Sequence, residues 1–407
     1  MNGRTENNTI AAGEERSLGG AGPSAGRMAT VLQVLPSFGA SGGVERGTVE
    51  IAGAIVEAGG RAVVASSGGR LVHDLKRVGA EHHTLPLHTK NPLVAHANIG
   101  RLARLIADQG VDIVHARSRA PAWSAYFAAK RTGRHFITTF HGTYSAPNWF
   151  KHRYNRVMTR GERVIAISGF IAGHIRQIYG VPASRIRVIH RGVDLERFDS
   201  RKISAERVVA LANQWRLADG APVVMLPGRL TRWKGHTVFI RAIAKLKRRD
   251  ICCLVVGSDQ GRTGYRRQLE ALVHEHDLGQ VVRILDHCDD MPAAYMLTDV
   301  VVSASTDPEA FGRVVIEAQA LGRPVVATDH GGARETVIEG ETGWLAPPGD
   351  VDALSAAIER VLDLKEPARK RLAEKAIANI HENFTKHTMC AKTLEVYNEV
   401  LHLKAAS

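Results

Sequence analysis

The amino-acid sequence predicts an α/β protein made of two doubly wound domains of similar size, with a site in the cleft between them. Three observations predict it. The 407 residues are long for one domain and comfortable for two. Short apolar strands alternate with helical segments through both halves, the pattern of parallel sheets covered on both faces. Between the halves, 195–218 is charged and lacks a strand, which marks a junction.

In the first half, strands are expected at 30–35, 61–65, 111–115, 135–140, 163–167 and 186–189. Helices are expected near 44–58, 70–78, 96–109, 121–131, 149–159 and 169–179. The second half repeats the style, with strands at 222–226, 251–256, 281–285, 299–303, 324–327 and 343–346. Its helices fall near 235–248, 262–276, 290–296, 312–321, 332–338, 351–364, 367–381 and 387–403.

Composition narrows the function classes. Charged residues are 23% and hydrophobic ones 44%, ordinary for a soluble globular protein. No apolar run reaches the roughly 18 residues of a spanning helix. The first 27 residues are rich in Gly, Asn, Glu, Ser and Ala and lack an apolar stretch. They are expected to form a disordered tail, not a signal peptide, with the functional protein starting near Met28. Cys252, Cys253, Cys288 and Cys390 fit no zinc spacing, and a reduced cytoplasmic setting follows.

The formal charge is +13, and it is unevenly spread. Residues 1–205 hold 28 Lys and Arg against 14 Asp and Glu; the remainder hold 26 against 27. Nucleic acid, an anionic membrane or a phosphorylated acceptor would each suit the basic half. No nucleic-acid-binding motif accompanies it. Trp149-Phe150-Lys151-His152-Arg153-Tyr154-Asn155-Arg156 mixes aromatic and basic residues, with Arg160 and Arg163 beyond. It suits an anionic lipid surface or an acidic glycolipid, or equally a helix whose aromatics pack inward.

The motifs sit after strands. Pro308-Glu309-Ala310-Phe311-Gly312-Arg313-Val314-Val315-Ile316-Glu317 follows the apolar strand at 299–303 and opens a helix. Glu309 and the Phe311-Gly312 amides therefore lie at the carboxyl edge of a sheet, where open α/β sheets bind ligands. Free N–H groups at a helix start suit phosphate or sugar oxygens. Glu317, two turns on, can face a second part of the same ligand. Gly228-Arg229-Leu230-Thr231-Arg232-Trp233-Lys234-Gly235 follows the first strand of the second half. Arg229 and Lys234 there can reach one anionic ligand from adjacent sides.

Ser41-Gly42-Gly43-Val44-Glu45 follows the first strand, and its glycines let a backbone approach a ligand. It is not G-x-G-x-x-G, so a nicotinamide cofactor has little support. His141 ends the strand Thr138-Thr139-Phe140 and should face the cleft. Ser168 is placed as a helix N-cap. Val188-Ile189-His190-Arg191-Gly192 is placed near the junction as a structural stretch, with Arg191 able to face the cleft. Gly331-Gly332 allows close packing near the site, and Glu335 either touches ligand or caps its own helix, the second being favoured. Asp290 lies where a nucleotide base would sit, or caps the helix that follows.

The Glu309/Glu317 spacing and the Arg229/Lys234 pair resemble the signature of family-4 retaining glycosyltransferases of the GT-B fold. The likeness runs from about 28 to 400. It implies two Rossmann-like domains, 28–200 on the acceptor side and 206–386 for the nucleotide sugar, with the segment 387–407 crossing back onto the first. It implies diphosphate binding by Arg229 and Lys234, sugar contact by His141, and oxygens held by the Phe311, Gly312 and Arg313 amides. Glu309 would hold donor-sugar hydroxyls and Glu317 the ribose. Gly42, Gly43, Gly257 and Asp290 complete the expected donor-binding set. The family's mechanism is front-face, with the leaving phosphate helping to deprotonate the acceptor. No cofactor is implied beyond the nucleotide diphosphate sugar, which is substrate. No metal is implied, because the two cations replace it and no Asp-x-Asp stands at a strand end.

Arg117-Ser118-Arg119-Ala120-Pro121-Ala122-Trp123 further resembles bacterial lipopolysaccharide core transferases, mannosyltransferases included. That implies a GDP- or UDP-linked donor, an anionic glycolipid or oligosaccharide acceptor, no nucleic acid, and peripheral attachment inside the cytoplasmic membrane. Two rivals share the architecture: a nucleotide-sugar epimerase, and a non-catalytic nucleotide-sugar-binding protein.

Overall fold

The computed structural model describes residues 29–39, 43–144 and 148–403. The expected tail, Met28, and Ser41 and Gly42 of the glycine loop lie outside them. The first sheet has seven strands: β1 (Thr30–Val34), β2 (Arg61–Ser66), β3 (Glu81–Thr84), β4 (Ile113–Ala116), β5 (His135–Phe140), β6 (Arg163–Ala166) and β7 (Ile186–Val188). The second has six: β8 (Val223–Pro227), β9 (Cys252–Val256), β10 (Val282–Leu285), β11 (Val300–Ser303), β12 (Val325–Thr328) and β13 (Trp344–Ala346). Helices intervene: α1 (Gly43–Glu57), α2 (Val72–Arg77), α3 (Pro92–Asp108), α4 (Arg119–Arg131), α5 (Trp149–Asn155), α6 (Gly169–Tyr179), α7 (Ala205–Gln214) and α8 (His236–Leu246). They continue with α9 (Thr263–Glu275), α10 (Met291–Met296), α11 (Arg313–Ala320), α12 (Ala333–Thr336), α13 (Val351–Leu362), α14 (Glu366–Asn383) and α15 (Lys386–Leu401).

Every strand pair is parallel. The orders are β3-β2-β1-β4-β5-β6-β7 and β10-β9-β8-β11-β12-β13. Each order reverses direction once, between β1 and β4 and between β8 and β11. At such a switch point the following loops diverge and open a crevice at the carboxyl ends of the strands. Gly43 opens α1, the helix after β1; Arg117 follows β4, Arg229 follows β8, and the Glu309 segment follows β11. The two doubly wound sheets are therefore as expected.

Three elements differ from expectation. β3 was not foreseen, because Glu81-His82-His83-Thr84 is polar and only partly buried. It is an edge strand held by pairing to β2 and by a 2.8 Å hydrogen bond between Ser66 Oγ and His82 Nε2. α7 lies inside the segment expected to be only a junction. Ser204 caps it, accepting from the Arg207 amide, and Leu211 is its buried anchor. Third, α5 stops at Asn155, and a 3-10 turn, Arg156–Thr159, continues it.

α15 crosses back as expected. Met389, Cys390, Val396, Tyr397 and Val400 are buried in one cluster with Val31, Ile51 and Ile113 of the first domain. Tyr397 also bonds His115 Nδ1 at 2.8 Å, and Glu399 receives Arg163 and Arg187.

Candidate active site

The centre of the site is an ion pair between the two motifs of the second domain. Lys234 Nζ donates to Glu309 Oε1 at 2.7 Å, and each side chain is 13% exposed. The hydroxyls of Ser305 and Ser303 donate to the same oxygen, at 2.5 and 3.3 Å. Burial pushes the Glu309 carboxyl up, but the Lys234 ammonium and the two serines outweigh it and hold it below its ordinary value. Glu309 is thus an ionised, oriented carboxylate.

Glycines make this pairing possible across 75 residues of sequence separation. Gly235 has φ +71°, and a Cβ there would stand 1.7 Å from the Ala304 carbonyl oxygen. The turn before α8 therefore lies directly on the chain leaving β11, where Thr306 N donates to Trp233 O at 2.7 Å. On the other side, a Cβ on Gly331 would come within 2.3 Å of Glu309 O, and one on Gly332 within 2.4 Å of Phe311 Cα. The close packing expected of that glycine pair is therefore present, and it is directed at the Glu309 turn.

A small, open pocket lies here, lined by Ser303, Glu309, Phe311, Gly312, Thr328 and His330 among others. Gly312 has φ +85° and starts α11, which no side chain caps. The first amides of α11 are thus without a side-chain cap, an arrangement suited to an anion. His330 Nε2 bonds Ser305 O at 2.9 Å, and its buried Nδ1 has no partner among the described residues. Sequence reasoning missed Ser303, Ser305 and His330. The available signal was their place at the carboxyl ends of β11 and β12, where side chains alternate into the crevice.

The first domain supplies the opposite wall. A Cβ on Gly43 would lie 3.7 Å from Arg313 Cδ, so the starts of α1 and α11 face one another. Gly42 lies outside the described residues. Arg313 reaches across to Glu50 of α1 at 2.9 Å and to Gly192 O at 3.1 Å. Burial lowers its pKa, yet Glu50 and Glu317 outweigh that and raise it. Glu317 sits deeper, accepting from the Tyr295 hydroxyl at 3.1 Å and 4.0 Å from both Arg46 and Arg313. It does not line the Glu309 pocket. His141 follows β5 as expected. Burial first, then the guanidiniums of Arg191 and Arg117, hold its imidazole well below the usual range, so it is neutral. Its buried Nε2 has no partner among the described residues. Arg191 is itself buried and donates to Gly43 O; burial and the neighbouring Arg117 and Arg313 push it down to about 9.

The remaining expected residues have other surroundings. Arg229 is exposed and makes no ion pair with the described residues. Gly257 packs against the turn that carries Arg229: a Cβ there would stand 1.9 Å from Gly228 O. Asp290 caps α10 through Ala293 N at 3.2 Å and binds Arg207 of α7 through both oxygens, at 2.7 and 3.0 Å.

Two contacts join the domains at the Glu309 turn. Ser168 caps α6 as expected, and its hydroxyl also donates to Ala310 O at 2.6 Å. Glu335 caps a helix, but not its own. It accepts from Gly169 N and Phe170 N of α6 at 2.7 and 2.8 Å, and pairs with His190 Nε2 at 2.8 Å. Its own helix spans only four residues, and the negative carboxylate suits the free amides of α6 better. Burial raises its pKa, but His190 and those amides prevail and lower it. Glu335→Ala is expected to lower stability by about 1–2 kcal/mol through the lost cap, and Glu335→Gln by less; equal melting temperatures for both variants and the parent would contradict this.

Comparison with known proteins agrees with the geometry. Residues 210–379 match the family model "Glycosyl transferases group 1", and residues 41–197 match "Glycosyltransferase Family 4". The crystal structure of a glycosyltransferase from Rickettsia africae is 38% identical, with a TM-score of 0.85 over 92% of this chain and 99% of that one. The GDP-mannose-dependent alpha-(1-6)-phosphatidylinositol monomannoside mannosyltransferase of Mycolicibacterium smegmatis is 29% identical over 77% of this chain and 82% of its own length. Anabaena HepE, solved with UDP and glucose, superposes with a TM-score of 0.79 over 91% of this chain and 99% of its own, at 24% identity. Two facing Rossmann-like domains, an ion-paired lysine and glutamate at the switch point of the second, and these likenesses together place the chain among the family-4 glycosyltransferases of the GT-B fold.

Proposed function

We propose that this glycosyltransferase moves a hexose from a nucleoside diphosphate sugar to a glycan or glycolipid acceptor with retention of configuration. The observation that carries the reading is the Lys234–Glu309 pair at the rim of a pocket whose other edge is the uncapped start of α11. Cations and free helix amides converge where a diphosphate would depart, and an ionised carboxylate faces where sugar hydroxyls would lie. Arg229, exposed on the neighbouring turn, adds a second cation.

In the proposed step the acceptor hydroxyl oxygen forms a bond to the anomeric carbon while the anomeric carbon–phosphate oxygen bond breaks. The electron pair leaves with the nucleoside diphosphate, whose oxygen takes the acceptor proton on the same face. Lys234, Arg229 and the α11 amides stabilise the charge that develops there. Glu309 orients donor hydroxyls, Glu317 the ribose, and neutral His141 the transferred sugar from the opposite wall. The chain's own cations do the work a divalent ion would otherwise do.

One relative and the chain's own charge bear on donor and acceptor. The mycobacterial relative is named for GDP-mannose and a phosphatidylinositol mannoside, and the first half of this chain is strongly basic. We therefore favour a GDP- or UDP-linked hexose, GDP-mannose first, and an anionic glycolipid such as a lipopolysaccharide core or related envelope polysaccharide. The enzyme would act at the inner face of the cytoplasmic membrane.

Nucleoside diphosphate release from GDP-, UDP- and ADP-sugars, with and without a lipid A–core extract, tests this. Release from one donor, dependent on the extract and persisting in EDTA, is the expected result. Conversion of a donor without acceptor would indicate an epimerase, and a strict metal requirement would refute the two-cation mechanism.

A further inference from the structure

Outside the cleft, the first domain carries a surface that the proposed chemistry does not use. Trp149 and Phe150 of α5 are 64% and 75% exposed, and Tyr154 is 44% exposed. Only Asn155 of this helix is buried. The aromatics therefore do not pack inward. The patch extends onto α4 through Trp123, whose Nε1 donates to Tyr154 O at 3.0 Å and whose ring stacks on the exposed Phe127 at 5.7 Å. On its other side, His152 Nε2 lies 3.2 Å from the carbonyl of the exposed Ile178.

Charge of one sign surrounds this apolar surface. Lys151, Arg153, Arg156 and Arg160 are all exposed, and the Arg153 guanidinium lies 5.8 Å above the Trp149 ring. Between Asp112 and Glu162 the sequence holds nine Lys and Arg and no Asp or Glu at all. Water-exposed Trp and Phe cost free energy unless an apolar phase receives them, and a carboxylate-free basic segment costs free energy through self-repulsion unless anions face it. One partner meets both demands, the headgroup–acyl boundary of an anionic bilayer. No described helix is long and apolar enough to cross a membrane, so the contact is superficial.

Position ties the patch to the cleft. His141 directly follows β5, and Tyr144, a few residues on, lies tilted against Phe140 at 4.9 Å and beneath Arg119 of α4 at 4.2 Å. Asn148 then caps α5, accepting from Lys151 N. The patch thus begins at the acceptor-side rim.

We propose that the α4–α5 surface docks the enzyme on anionic lipid, with Trp149 and Phe150 inserted and Lys151, Arg153, Arg156 and Arg160 facing the phosphates. The His141 rim then opens towards a lipid-borne acceptor; this last clause rests on the proposed function, whereas docking itself does not.

Flotation of the full chain with phosphatidylcholine vesicles, and with vesicles carrying roughly 30% phosphatidylglycerol, tests it. Binding is expected only to the anionic vesicles, weakening as salt rises from about 50 to about 300 mM. The variant Trp149→Ser/Phe150→Ser should bind at least about tenfold more weakly at an unchanged melting temperature, since both side chains are exposed. Lys151→Glu/Arg153→Glu should lose the dependence on phosphatidylglycerol. With a detergent-dispersed acceptor, the aromatic variant should turn over like the parent; with acceptor embedded in vesicles, its KM should rise about tenfold while kcat holds. No vesicle binding by the parent, equal binding by the variants, or binding of RNA in place of vesicles would overturn the proposal. Vesicle binding without turnover on any donor would leave docking standing and refute the transferase reading instead.

Discussion

Lys234→Met is expected to lower turnover by about 10²–10³-fold, the size of effect seen when one preorganised charge-stabilising donor is removed. It should also destabilise the fold by about 3 kcal/mol, because it leaves the Glu309 carboxylate buried without its counter-charge. Glu309→Gln should be milder in stability and comparable in turnover. The informative variant is the double one. Lys234→Met/Glu309→Gln removes both charges, so stability should largely return while turnover stays low. A double-mutant cycle on chemical denaturation and on kcat separates the two consequences. Turnover of Lys234→Met within threefold of the parent would refute the assignment of this lysine.

The same pair sets an acid limit. The folded pKa of Glu309 lies below its ordinary 4.5. A carboxyl depressed in this way contributes stability above its unfolded pKa and loses it as pH falls through the folded value. Denaturation followed downwards from pH 4.5 should therefore show a stability loss that is reduced in the double variant.

Gly235→Ala should be the second most damaging change. It forces an Ala residue to φ +71° and sets its Cβ 1.7 Å from the Ala304 oxygen. Backbone has to move on one side, and the flexible end of a side chain cannot absorb the clash. Displacing the turn carries Lys234 away from Glu309, and a shift of about 1 Å at such a site costs about 10²-fold in rate. Stability should fall by about 2–4 kcal/mol from strain and overpacking together. Gly220→Ala is the control: its φ is +76°, but nothing stands within 4 Å of a Cβ. It should cost about 1 kcal/mol of backbone strain and leave kcat unchanged. Similar kcat for the two variants would show that Gly235 does not place Lys234.

Much of this was legible in the chain alone. Val300–Ser303 reads as a buried parallel strand because its residues are apolar in an unbroken run, and the Glu309 segment follows it directly. A motif that follows such a strand must emerge at the carboxyl edge of a sheet, so Glu309, Arg229 and His141 could be placed before any contact was known. Local capping was equally readable: Ser168 and Asp290 cap as their types and positions imply. The polar edge strand β3 escaped, because its stability comes from pairing with β2 and not from an apolar period of its own. So did α7, which lies in a charged segment and is anchored by Leu211 and by Arg207 gripping Asp290.

What the sequence by itself determined is the order of strands and helices and the edge on which each motif emerges. Periodicity and turn residues act over a few positions, and those decisions are local. Only the tertiary structure decided that Lys234 meets Glu309, that Glu335 caps a helix of the other domain, that Glu317 turns to Tyr295, and that Trp149 and Phe150 face outward. Each of these depends on how closely two distant backbones approach, and on which side chains another element happens to cover. That is a property of the packed chain, and no window of sequence contains it.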